Sequence, residues 1–273
     1  MRLRALPDTA DYTANMDIFT LHQGTRPLLV SVPHNGTHVP DAIAERLTPE
    51  AREVPDTDWD MARMYAWVIE AGGSLIVPTH SRYVVDLNRS EDDVSLYPGQ
   101  NTTGLCPIVQ FTGAPVYLEN AEPDEDEVRA RVEQYWRPYH AALASEIERL
   151  HAIHGRVLLW EGHSIKGELP FLFEGRLPEL NLGTANGNSC AATTQIRVEA
   201  ALAAQDHYDF VVNGRFKGGY ITRHYGNPSR GIDAIQLEMS QHTYMDEAQR
   251  AWDAVKAGRV QGLVRSMVEA ALA

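Results

Sequence analysis

Short β-rich runs alternate with long helical patterns along this chain, and that alternation does most to limit what it can fold into. PLLVSVP, SLIVP, RYVVDL, RVLLWEGH, YDFVVNG and DAIQLEMS read as strands. DTDWDMARMYAWVIEAGG reads as a helix capped by Asp56 or Thr57, with Met61, Met64, Tyr65 and Val68 at helical spacing and Gly72 as its stop. The longest helical pattern runs from Pro123 to Gly155 and has acids in its first turn, where they suit the helix dipole; Pro138 inside it is expected to kink or split it. Two further helices are expected, around Cys190 to Ala204 and from Asp246 to the C-terminus. The pattern implies an α/β sheet flanked by helices. With no internal repeat, low-complexity tract or linker, residues 1–273 read as a single domain.

A formal net charge of -13 argues against nonspecific binding to nucleic acid or to anionic lipid, because both require a basic face. No apolar run approaches the roughly 20 residues of a membrane span, and the N-terminal stretch lacks a continuous apolar core of the signal-peptide kind. Cys106 and Cys190 are the only cysteines and sit in no metal or redox spacing, so the expected location is the reducing cytoplasm.

Two strand-like runs end alike. PLLVSVP opens into His34, Asn35 and Gly36, and RVLLWEGHS ends in Glu161, Gly162, His163 and Ser164. Taken alone, either histidine could be a loop residue bonded to backbone. Parallel neighbours point the same way, however, so two strand-end histidines can converge at the crevice where open α/β sheets bind ligands. A catalytic zinc commonly takes three protein ligands of histidine and carboxylate type. DTDWD offers Asp56, Asp58 and Asp60 for the third, with helix capping as the competing role. Glu161 is an alternative carboxylate, but on strand alternation it is expected to point away from His163.

Arginines gather in two further stretches. SRYVVDLNRSEDD holds Arg82, Asp86, Asn88 and Arg89, and NGRFKGGYITRHYGNPSR holds Arg215, Lys217, Arg223 and Arg230. A guanidinium matches a carboxylate bidentately, so an acidic protein that concentrates arginines here suggests a bound anion; a surface salt bridge between Asp86 and an arginine is the alternative. In DAIQLEMS, Glu238 stands inside the otherwise apolar context AIQLEM, flanked by Leu237 and Met239. Burial there would raise its pKa toward that of a general base, although an ordinary edge-strand acid would look the same.

VPHNG, DTDWD, SRYVVDLNRS, LPFLFEGRLPELNLGTANGNSC, NGRFKGGYITRHYG and IQLEMSQHTYMDE occur in order between about Pro27 and Glu247. Together they resemble the N-formylglutamate amidohydrolase family. The resemblance implies a three-layer α/β/α fold with a mixed central sheet, of the zinc-carboxypeptidase-like, phosphorylase/hydrolase-like kind. It also implies a small dicarboxylate substrate, N-formyl-L-glutamate, hydrolysed to formate and glutamate in histidine utilisation. Carried over, His34 and His163 become metal ligands, Asn88 and Arg89 the pair that grips a substrate carboxylate, and Glu238 the catalytic carboxylate. The expected cofactor is one divalent metal, with zinc the first choice. The wider carboxypeptidase-like group has a glutamate three residues after its first histidine, whereas this chain has Thr37. The acidic ligand must therefore come from elsewhere, and Asp58 is chosen because Asp56 is the better cap. Arg82, Arg215 and Arg223 join Arg89 as expected substrate contacts. A metal-dependent amidase for another N-acyl amino acid and a non-catalytic module binding acidic ligands are the competing functions.

Overall fold

The structure is a computed structural model that describes residues 17–95, 99 and 101–273. Its sheet strands are β1 (Phe19–His22), β2 (Leu28–Ser31), β3 (Ser74–Pro78), β4 (Val157–Ile165), β5 (Leu180–Gly183), β6 (Phe210–Val212) and β7 (Ile232–Ser240). They form one mixed sheet in the order β1-β3-β2-β4-β7-β5-β6. β3, β2, β4 and β7 run parallel, whereas β1 is antiparallel to β3 and β5 to β7.

The central strands are apolar without alternation because both faces of the sheet are covered. Leu28, Val30, Leu158, Trp160, Leu237 and Met239 enter one core, and Leu29, Ile76, Val157, Leu159 and Ala234 the other. Against the first core pack α2 (Met61–Met64), α3 (Trp67–Glu70), α6 (Ala192–Ala203) and α8 (Ala254–Leu272), through residues such as Met64, Val68, Val198 and Val264. Against the second packs α5 (Arg137–His154), through Tyr139, Leu143 and Ile147. The short helices α1 (Asp41–Ala44), α4 (Glu125–Arg131) and α7 (Tyr220–Tyr225) complete the set used below.

The long helical pattern divides as its proline requires. Asp124 caps α4 by accepting from the Glu127 N–H, a π turn spans Val132–Trp136, and α5 carries Pro138 in its first turn. Pro138 offers no N–H to the carbonyl four residues back, and the wider turn, in which the Arg137 N–H reaches the Val132 carbonyl, accommodates that break. Gly155, at φ 67°, ends the helix as expected.

Several expectations give way. The pattern from Asp56 to Gly72 is not one helix, because Asp60 lies at φ 58° and leaves a loop followed by two four-residue turns, α2 and α3. Asp56 caps neither; its carboxylate accepts from the Tyr83 hydroxyl and the Phe111 N–H. RYVVDL is a buried turn rather than a strand. Its Tyr83, Val84, Val85 and Leu87 are apolar because they are buried, while its backbone bonds run locally or to loops, as in Val84 N–H to Ser81 O. At the C-terminus, Met245–Asp246 pairs with Ala251–Trp252 as a short hairpin, so α8 begins at Ala254, capped by Asp253, rather than at Asp246. No helix among the described residues is long and apolar enough to cross a membrane.

Candidate metal centre and substrate cleft

β2 and β4 are parallel neighbours in register, with Ser31 opposite Glu161, so the chain leaving β2 reaches the level of His163. There His34 turns inward, and the loop beyond it passes so close to His80 that a Cβ on Gly36 would lie 2.1 Å from the His80 carbonyl oxygen. Only glycine fits. The His34 carbonyl in turn accepts the Asp58 N–H at 3.1 Å, which brings the third residue into place.

His34, Asp58 and His163 form a buried group whose ligand atoms all lie within 4.8 Å of one another, and the group can hold a metal ion. Asp58 Oδ2 is 2.9 Å from His163 Nδ1 and 3.7 Å from His34 Nδ1. Ligands about 2.0–2.1 Å from a tetrahedral zinc sit roughly 3.3 Å apart, and these separations bracket that spacing. The outer nitrogens are engaged as well. His34 Nε2 is 2.7 Å from Asp86 Oδ1, and His163 Nε2 is 2.6 Å from Glu161 Oε1. Both imidazoles therefore turn Nδ1 toward the shared carboxylate, with a carboxylate behind each. Such backing orients and strengthens metal-binding histidines, so the donor set fits a divalent ion.

Glu161 thus points toward His163, not away from it: residues two apart on a strand share a face. The salt bridge between Asp86 and Arg82 exists, but it is buried at the site rather than on the surface. Burial alone would raise the Asp58 carboxyl, but hydrogen bonds from His163 and His34 outweigh it and hold the group low. Burial opposes charge on His163, yet Glu161 and Asp58 hold that imidazole well above its ordinary range. Glu238, on β7, has His163 as its register partner across β4, which sets its carboxyl beside the group. Burial pushes it up to about 8, against the pull of His163 and with the push of Asp58.

The group opens into a cleft that combines polar and apolar lining, as small-molecule sites do. Arg82, Asn88, Arg89, Arg215, Gln236 and Glu238 line it, with Phe111, Ile165, Leu172 and Phe216 as apolar wall. Arg82 lies over the Phe111 ring, pairs with Asp86, and its Nε has no hydrogen-bond partner among the described residues. Arg89 is half-buried and donates to the Thr103 and Asn88 carbonyls, while its own carbonyl accepts from the Trp136 indole. Arg215 donates to the Asn101 carbonyl. Arg223 does not line the cleft; it holds the Gly218 carbonyl just ahead of α7. Arg230 pairs with Glu148 on the surface. That Asp86 backs His34 was not foreseen, and no spacing signal marks it.

A mixed sheet whose strand ends bring two imidazoles and several carboxylates into one arginine-lined cleft defines this protein as an α/β protein with a buried, polar ligand site. The model of the N-formylglutamate amidohydrolase family matches residues 26–245, and the chain belongs to that family. An N-formylglutamate deformylase of Pseudomonas putida is 46% identical over 232 residues, covering 85% of this chain and 86% of the relative. One from Pseudomonas aeruginosa is 45% identical over 258 residues, covering 94% and 97%. The crystal structure of N-formylglutamate amidohydrolase from Ralstonia eutropha JMP134 superposes with a TM-score of 0.79 at 24% identity, over 94% of this chain and 96% of that one, and so shares the fold.

Proposed function

We propose that this protein hydrolyses N-formyl-L-glutamate to formate and L-glutamate, using a divalent metal, zinc, held by His34, Asp58 and His163. The convergence of these three buried side chains, in a chain about 45% identical to named N-formylglutamate deformylases, carries the reading. A bound zinc would polarise the formyl oxygen and favour ionisation of a water molecule. Glu238 accepts the proton of the attacking water and delivers it to the departing glutamate nitrogen as the carbon–nitrogen bond breaks. Arg89 and Arg215, both on the cleft wall, bind the substrate carboxylates, and Arg82 and Asn88 complete the polar lining. Arg223 contributes through the Gly218 turn that it holds. Few arginines suffice because a cleft concentrates their field, whatever the net charge outside.

We assign the fold to the three-layer, zinc-carboxypeptidase-like class, as one domain over residues 1–273. The two cores on opposite faces of a single sheet support this. A cytoplasmic location is consistent with two free cysteines, Cys106 and Cys190. Metal analysis of the purified protein, with rates on N-formyl-, N-acetyl- and N-succinyl-glutamate, tests the proposal. Stoichiometric zinc and a strong preference for the formyl substrate are expected. A faster reaction with a longer acyl group would make this a different amidase, and no metal with no turnover would make it a binding module.

A further inference from the structure

Glu161 lies within β4, is 0% exposed, and has no part in the reaction described above. Its two oxygens nevertheless gather four donors. Oε1 faces His163 Nε2 at 2.6 Å and accepts from the Asn88 amide, while Oε2 accepts the Thr222 N–H at 3.1 Å and the Thr222 hydroxyl. The orientation of Asn88 is itself fixed, since its Oδ1 accepts the Ile221 N–H at 2.9 Å and so turns Nδ2 toward Glu161. Ile221 and Thr222 are both in the first turn of α7.

An ionised carboxylate is the side chain that presents acceptors on both sides; an amide would set N–H groups against one pair of donors. β4 leaves little room for adjustment either, because a Cβ on Gly162 would stand 2.3 Å from Tyr65 Cε2 on the opposite face. The other imidazole, His34, has an equivalent carboxylate in Asp86, but Asp86 is shared with Arg82. Glu161 is shared with α7, the helix that follows the glycine-rich turn on the cleft wall.

We propose that Glu161 is a positioning residue of the metal centre: it takes the Nε2 proton of His163, turns Nδ1 toward Asp58, and ties that imidazole to the first turn of α7. The inference rests on His34, Asp58 and His163 being the metal ligands, and its test separates the two ideas.

Zinc affinity is measured by chelator competition on the full-length parent, Glu161→Gln and Thr222→Val, with circular dichroism to verify folding. The His163 Nε2–H resonance of each zinc-loaded protein is recorded by NMR. Glu161→Gln should weaken zinc binding by roughly 10- to 100-fold, as loss of such outer partners does, and should move the Nε2–H resonance upfield as its charged acceptor is lost. Thr222→Val removes one donor to the same carboxylate, so the resonance should shift while affinity falls less. Should the glutamine variant not fold, the Thr222→Val shift decides. A folded Glu161→Gln protein with parental affinity and an unmoved resonance would overturn the inference alone, as would an unmoved resonance in Thr222→Val. A parent that binds no zinc would overturn the ligand assignment, and the inference with it.

Discussion

Substituting glutamine for Glu238 removes one proton acceptor and little else. The side chain is 6% exposed on the central strand β7, and glutamine matches its shape, so neighbouring Leu237 and Met239 keep their places in the core. His163 remains its register partner, so the metal group is undisturbed. What disappears is the acceptor for the water proton. General-base contributions run on the order of 100- to 10,000-fold, which at about 1.36 kcal/mol per tenfold is about 2.7–5.4 kcal/mol of transition-state stabilisation. The assay is formate release at saturating N-formylglutamate, with substrate binding by calorimetry and zinc by elemental analysis. Turnover should fall by the stated factor, while affinity and zinc content stay at parental values, since the loss is confined to the transition state. A glutamine variant that released formate at close to the parental rate would refute the assignment and make Glu238 structural.

His34→Ala and His163→Ala should each lose zinc and activity together while remaining folded; full zinc occupancy in either, by elemental analysis, would remove that residue from the ligand set. Arg89→Ala should raise the Michaelis constant with zinc content unchanged. Arg89 is only half-buried, so the cost should lie near the low end of the range for a truncated charge pair, about 2 kcal/mol or roughly 30-fold. An unaltered constant would mean that Arg89 serves only the Thr103 and Asn88 carbonyls. Asp86→Asn leaves the buried Arg82 guanidinium with Asp58 Oδ1, 3.9 Å away, and the Asp56 carboxylate as its nearby counter-charges. Breaking a buried pair costs about 3–5 kcal/mol, and because Asp58 and Asp56 compensate in part, urea denaturation should show a loss of about 3 kcal/mol; a parental midpoint would show that they suffice.

The residues that converge on the cleft were legible where they stand at strand ends. His34 and His163 close two apolar runs that turn out to be β2 and β4, and Glu238 stands out as an acid flanked by Leu237 and Met239 in β7. Asp58 was legible only as one of three acids, since its selection depends on the His34 carbonyl accepting its N–H and on Asp56 being engaged elsewhere. Asp86 was harder to read. RYVVDL has the composition of a strand because Tyr83, Val84, Val85 and Leu87 are buried, and composition reports burial rather than a hydrogen-bonded ladder. Its partnership with His34 spans 52 positions in the chain, and no local pattern encodes that. β1 and β5 were missed because Thr20, His22 and Asn181 interrupt their few apolar residues, whereas the equally short β2 and β6 lie in continuous apolar runs. Arg223 was grouped with Arg215 by proximity in sequence, but α7 turns it back onto Gly218.

The π turn at Val132–Trp136 is in effect a helix with one residue to spare, and the surplus is what keeps two unrelated faces aligned. Upstream of it, Arg131 reaches the Tyr117 hydroxyl and the Val84 carbonyl. At its end, the Trp136 indole grips the Arg89 carbonyl, and just beyond it Tyr139 meets Ser31 of β2. Excising any one of the five residues would rotate one flank against the other by roughly 100°, pulling either Arg131 or Trp136 off its target, and would leave Pro138 inside a continuous helix without the turn that accommodates it. This segment should therefore accept many exchanges of one side chain for another and reject every single-codon deletion, an asymmetry that a deletion scan set beside a substitution scan would read directly.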